Sequence, residues 1–187
     1  SNEVNCINNS ILYKDLLKEY ESKILEFEKL PLSHPLYIMF SSGTTGKPKC
    51  IVHCAGGVLL KHLVEVGLHS NAMDNKKFFY FTTCGWMMWN WLVSSLMLNS
   101  TICLYDGSPF YPNSDILWRY ADEEKFHFFG TSAKYIDALS KFKNKISEKF
   151  DLENLETIGS TGSPLVHESF DYVYNNIKKD IHLASLS

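Results

Sequence analysis

Apolar residues recur along the chain in two different periods. Between Ile11 and Phe27, Leu12, Leu16, Tyr20, Ile24 and Phe27 return every three or four residues among charges, the spacing of an amphipathic helix. The following "EKLPLSHP" holds two prolines, which stop a helix and force extended backbone, so it predicts a connector into the short strand "LYIMF" (36–40). A second strand-like run, "CIVHC" (50–54), comes after a polar stretch, and the two are expected to pair as a hairpin.

From there the elements alternate. Helix is expected over 55–69, 87–98, 114–125, 132–142 and 166–179, and strand over 77–82, 101–106, 126–130, 155–160 and 181–185. The helix over 114–125 is rich in acidic residues and reads as a surface helix capped by Ser114. Strands alternating with helices of this length predict an α/β fold: a layered, largely parallel sheet with flanking helices. Residues 1–30 read as an N-terminal helix and connector, and 31–187 as a partial domain.

The uncharged stretch Phe78 to Leu98 has about the length of a bilayer span. It is interrupted by "TTCG" and carries Asn90 and two serines, so it reads as a buried strand, a turn and a buried helix rather than as a membrane segment. Composition adds exclusions. With 18 basic and 21 acidic side chains, a net charge of -3 and no basic stripe, the chain lacks what a nucleic-acid partner needs. Five cysteines, an odd number with no C-x-x-C pair, together with a start that lacks the basic and apolar regions of a signal peptide, point to a reducing cytoplasm.

The polar stretch between the first two strands, "SSGTTGKPK" (41–49), combines glycine, hydroxyls and positive charge. Glycine lets backbone N–H groups approach an anion, and Ser and Thr add donors, so the stretch could cradle phosphate; it could also be a plain polar turn. It is not the helix-entry loop G-x-x-x-x-G-K-[ST], because only two residues separate Gly43 from Gly46 and Pro48 follows Lys47.

This stretch resembles the signature loop of the adenylate-forming superfamily, which includes acyl-CoA synthetases, luciferases and peptide-synthetase adenylation domains. In order and spacing, "IVHCAGGVLLKHLVEVGLH", "FFYFTTCGWMMWNWLVSSLMLNSTICLYDGSP", "FGTSAKYI" and "LETIGSTGSPL" resemble its acetoacetyl-CoA synthetase branch. The resemblance implies an acid–CoA ligase for acetoacetate that forms an acyl-adenylate from ATP and releases pyrophosphate, with Mg²⁺ and CoA taking part. Small molecules would be its partners. An acetate- or propionate-type ligase and a non-catalytic nucleotide-binding remnant are the alternatives.

The resemblance assigns Ser41, Ser42, Gly43, Thr44, Thr45, Gly46 and Lys49 to the β- and γ-phosphates. Lys49 could equally be a solvated lysine on an edge strand. Gly162, Ser163 and Pro164, in a glycine-rich turn after an apolar strand, become adenine contacts; other branches often carry an acidic residue at the place of Ser163, and a plain strand-to-helix connection is the alternative reading. Trp86, Met87, Met88 and Thr161 would line the acid pocket, although Trp86 and Trp89 also suit plain core packing. Ser132 in "GTSA" is the candidate for CoA. The family's catalytic lysine and ribose-binding aspartate have no counterpart here. The chain is therefore expected to be an internal piece of the large N-terminal domain, inactive alone and prone to self-association through apolar surfaces left uncovered. The seven histidines show no metal-ligand spacing and no nucleophile partner, so no metal site is expected from protein ligands.

Overall fold

The computed structural model describes residues 8–20, 23–41, 46–142 and 144–186. The chain divides into two compact units, Ser1–Pro31 and Leu32–Ser187.

In the first unit, the helix expected from Ile11 to Phe27 is reduced to α1 (Tyr13–Lys18), followed from residue 23 to 30 by backbone without regular structure. The apolar stripe is there in sequence, but Leu12, Tyr20, Ile24 and Phe27 are exposed. A helix this short is unstable without an apolar face to bury, and Leu12 at its N-cap offers no side-chain acceptor.

The second unit opens with the predicted hairpin. Strands β1 (Pro35–Ser41) and β2 (Lys49–Cys54) pair antiparallel, with Ser41 opposite Lys49 at the open end of the connecting stretch. Next come helix α2 (Ala55–His62), β3 (Lys77–Tyr80), α3 (Met87–Ser94), β4 (Thr101–Cys103), α4 (Ile116–Glu124), β5 (Phe128–Ser132), α5 (Ala133–Lys141), β6 (Thr157–Thr161), α6 (His167–Asn176) and β7 (His182–Ser185). The helix expected over 55–69 continues beyond α2 as a π-helical turn over Leu63–His69, and α3 ends in a 3₁₀ turn over Ser95–Leu98.

Strands β3 to β7 form a parallel sheet in the order β4-β3-β5-β6-β7, the predicted α/β layer fold. The runs "KFFYFT" and "FHFFG" do not alternate with polar residues because both faces of the sheet are covered. Successive side chains point to opposite faces. Phe79, Phe129, Ile158 and Leu183 join the core formed with α4, α5 and α6, while Phe78, Tyr80 and Phe128 join Val66, Met88, Trp91 and Leu92 on the other side. Trp118 of α4 is fully buried and stacks on Phe129 with ring centroids 4.3 Å apart. The helix over 114–125 is thus half core, not a purely surface element.

Its expected cap is also different. The N-cap position belongs to Asp115, which makes no side-chain cap, while Ser114 donates to the Asp115 carboxylate. Asn144 and Lys149 bind the same carboxylate at 2.6 Å each, so Asp115 ties α4 to the segment after α5 instead of closing the helix.

Two histidines are held neutral by burial. His62 shares a 2.6 Å hydrogen bond with Ser94, whose hydroxyl donates to the Asn90 carbonyl, so Nδ1 of His62 is the donor. His127 accepts from the Lys77 backbone N–H through Nδ1. Loss of hydration pushes both imidazoles below their ordinary value of 6.5. The unfolded chain therefore binds more protons than the folded one below about pH 6.5, and stability is full above that value and declines as the pH falls through it. The carboxylates of Glu156 and Asp151, held low by Lys76 and Lys125, add to the loss only below their own ordinary values of 4.5 and 3.8. Thermal melts should show a lower Tm at about pH 5.5 than at about pH 7.5, with the drop reduced in H62Q and H127Q. An unchanged Tm across that interval would contradict this reading.

Candidate functional site

The site begins at the hairpin. Residues directly opposite in an antiparallel pair share a face, so Ser41 and Lys49 lie on one side, with Met39 two positions back. Met39 meets α3, where Asn90 donates to its sulfur at 3.6 Å. The Ser41/Lys49 side of the hairpin is therefore the side that meets α3. Ser41 is half-buried and Lys49 is exposed. Gly46 has φ +153, and a Cβ there would meet nothing, so the position calls for glycine on conformation and not on space. Ser42, Gly43, Thr44 and Thr45 lie outside the described residues.

At the carboxyl ends of β6 and β7 is a cleft of about 380 Å³ lined by Thr161, Gly162, Ser163, Pro164, Ser185 and Leu186. Its shape follows from the turn after β6. Gly162 takes φ +90, which swings the chain back, and the N–H of Leu165 reaches the Ser185 hydroxyl at 3.4 Å. The structure thus brings together the three predicted adenine contacts. Ser185 and Leu186 are additions to that set: in the sequence they read only as the last strand and its end.

A smaller cavity of about 140 Å³ lies between α3, the π turn and β6, lined by Glu65, His69, Ser70, Met87, Met88, Trp91, Thr161 and Leu186. It collects three of the four predicted acid-pocket residues. The fourth, Trp86, stands outside this lining, packed edge-to-face against Tyr80. Trp89 lines a different cavity, of about 530 Å³, with Tyr80, Phe81, Cys84 and Tyr105. Glu65 is neutralised by Lys61 at 2.7 Å. Glu65, His69 and Ser70 were not identifiable as lining residues, because the run that carries them reads as an ordinary helix. Its widening into a π turn, a form found often at functional sites, is a tertiary feature.

Ser132 serves as the N-cap of α5, accepting from the Tyr135 N–H at 3.2 Å, and keeps part of its surface exposed. Burial pushes the Cys103 thiol up to about 11, so this cysteine behaves as a core residue. Among the described residues, no group of three or more His, Cys, Asp or Glu could hold a metal ion, and no helix is long and apolar enough to cross a membrane.

Thr161 and Leu186 line both the cleft and the smaller cavity. Two adjoining recesses at the carboxyl edge of a parallel sheet are where an α/β fold holds a nucleotide beside a second ligand. Comparison with known families decides the assignment, since the profile of AMP-binding enzymes matches residues 4–181. The chain belongs to the AMP-binding enzyme family.

Within this AMP-binding family, the chain is 53% identical to the acetoacetyl-coenzyme A synthetase of Rhizobium meliloti (strain 1021) over 97% of its length, and 47% identical to the acetoacetyl-CoA synthetase of Gallus gallus over 99%. It spans 28% of the length of each of these relatives. Among solved structures it matches acetoacetyl-CoA synthetase from Streptomyces lividans with a TM-score of 0.82 at 40% identity, covering 92% of this chain and 27% of that one.

Proposed function

We propose that this chain supplies the phosphate, adenine and acid recesses of an acetoacetate–CoA ligase, which joins acetoacetate to AMP and then transfers the acyl group to CoA. The observation that carries this reading is that Thr161 and Leu186 are shared by the cleft and the small cavity. An acyl-adenylate needs its acid and its adenosine in adjoining recesses, and these two residues stand at the junction.

In the first half-reaction the acid's carboxylate attacks the α-phosphorus, the bond to the bridging oxygen breaks, and pyrophosphate leaves with the negative charge. Ser41, Ser42, Gly43, Thr44, Thr45, Gly46 and Lys49 would hold that leaving group. Fixed donors of this kind act most strongly on charge that grows in the transition state. Gly162, Ser163 and Pro164 would lie along the adenine. Met87, Met88 and Thr161 would enclose the acid, with Trp86 acting through the packing of the strand-to-helix turn. Mg²⁺ is assigned only as the ion that accompanies the phosphates of ATP, where it neutralises their charge. For CoA, Ser132 is the proposed contact, its exposed surface standing at the end of β5. The free cysteines Cys50, Cys54, Cys84 and Cys103 fit a reducing cytoplasm as the place of work.

The cavity volume of about 140 Å³ suits a short acid. The direct test is mass spectrometry on the whole protein incubated with ATP, Mg²⁺ and acetoacetate. Acetoacetyl-AMP should accumulate without CoA and be replaced by acetoacetyl-CoA when CoA is added. Absence of both products would remove the proposal. The chain alone should bind ATP or pyrophosphate weakly and form neither product; turnover by the isolated chain would refute that part.

A further inference from the structure

Asn90 interrupts the apolar run Met87–Val93 of α3 and lines neither the acid cavity nor the adenine cleft. Its side-chain amide turns to the hairpin instead and donates to the Met39 sulfur at 3.6 Å. Met39 stands two positions before Ser41 on the same face of β1, about 7 Å along the strand. Asn90 itself belongs to the first turn of α3 together with Met87 and Met88, which line the acid cavity. One side chain thus joins the acid-pocket helix to the strand that leads into the phosphate stretch.

This contact closes a circuit. β2 runs directly into α2, whose first two N–H groups, Ala55 and Gly56, reach the carbonyls of His34 and Leu32 at 2.8 Å each. His62, the buried last residue of α2, donates to the Ser94 hydroxyl at 2.6 Å, and that hydroxyl donates to the Asn90 carbonyl at 2.9 Å. From Asn90 the amide returns to β1. Each strand of the hairpin is therefore tied to α3 by its own route, β2 through α2 and β1 through Asn90. A thioether is a weak acceptor, and leucine in place of the amide would still pack on Met39, so the bond gives the hairpin its direction more than its stability.

We infer that Asn90 is a positioning residue: through Met39 it sets the hairpin, and with it Ser41 and Lys49, against the helix that carries the acid pocket. This rests on the phosphate and acid assignments proposed above. In adenylation the acid's carboxylate, the α-phosphorus and the departing pyrophosphate must stand in line. α3 holds the acid and the hairpin holds the pyrophosphate, so a contact that joins the two elements fixes their spacing. Such placement counts steeply, since a shift of about 1 Å can cost about 100-fold in rate. Transfer of the acyl group to CoA begins after pyrophosphate has left and does not depend on this spacing.

The test uses N90L and M39L in the whole protein, which remove the donor and the acceptor while leaving side chains that still pack on each other. In each, ATP–pyrophosphate exchange with acetoacetate should fall roughly tenfold in kcat, with the KM values for ATP and acetoacetate changing by less than about threefold. The double variant should be no slower than either single one, because the two side chains act as one contact. Conversion of supplied acetoacetyl-AMP to acetoacetyl-CoA should keep the parent rate, whereas general damage to the fold would slow it as well. Exchange at the parent rate in N90L and M39L, or an equal loss in both half-reactions, overturns the inference. K49A separates that failure from a failure of the reading beneath it. If K49A alone slows exchange, the phosphate assignment stands without Asn90; if K49A is also without effect, the assignment falls and the positioning role with it.

Discussion

Replacing Lys49 by alanine in the whole protein should lower the rate of ATP–pyrophosphate exchange by about 100-fold or more, with little change in melting temperature. The two halves of that expectation have separate causes. Lys49 is exposed on β2 and makes no ion pair among the described residues, so its removal costs the fold almost nothing. Its charge faces the same side as Ser41, on the side that meets α3, where the leaving pyrophosphate is proposed to lie. Removing one preorganised donor from developing negative charge typically lowers the rate by about 10² to 10³. Thr45→Ala tests the same loop from a hydroxyl and should act in the same direction, by about tenfold or more. K49A with an unchanged exchange rate would leave Lys49 as a solvated lysine on an edge strand.

The second large effect concerns the sheet beneath the site. Gly130→Ala should destabilise the chain by about 3 kcal/mol or prevent folding, because a Cβ at this position would sit 2.0 Å from the Tyr80 ring. That ring cannot move aside cheaply. Tyr80 is 3% exposed, its hydroxyl donates to the Thr131 carbonyl at 3.2 Å, and Trp86, Trp91 and Phe128 surround it. Gly85→Ala is the control, since a Cβ there meets nothing, and it should change stability by under about 1 kcal/mol. Urea denaturation of the three chains decides the matter. Equal midpoints for G130A and the parent would contradict the close approach of Tyr80 to the β5 backbone.

Much of this was legible in the residues, for identifiable reasons. Strands buried on both faces read as unbroken apolar runs, so "KFFYFT", "FHFFG" and "LETIGS" point to a parallel sheet without any knowledge of its partners. The hairpin was legible because a polar, glycine-rich stretch separates two apolar runs at short range. The helix over 11–27 was misjudged because periodicity reports the capacity to bury a stripe, and Ile24 and Phe27 bury nothing in the first unit. Ser114 was misjudged because capping depends on where the chain turns: Asp115 takes the cap position and is claimed by Asn144 and Lys149, which are distant in sequence.

The candidate site divides the same way. Gly162, Ser163 and Pro164 are contiguous and carry a local turn signal, so the cleft they line could be read from them. Met87, Met88 and Thr161 come from separate elements and could be joined only through a family resemblance. His69, Ser70 and Leu186 had no such signal, since they reach the cavity through a π turn and through the register of β7 on β6.

The most direct measurement is acid-dependent ATP–pyrophosphate exchange by the whole protein, with acetoacetate, acetate and propionate supplied one at a time. The account predicts exchange that requires an acid and is fastest with acetoacetate. Exchange that is fastest with acetate or propionate, or no acid-dependent exchange at all, would contradict it.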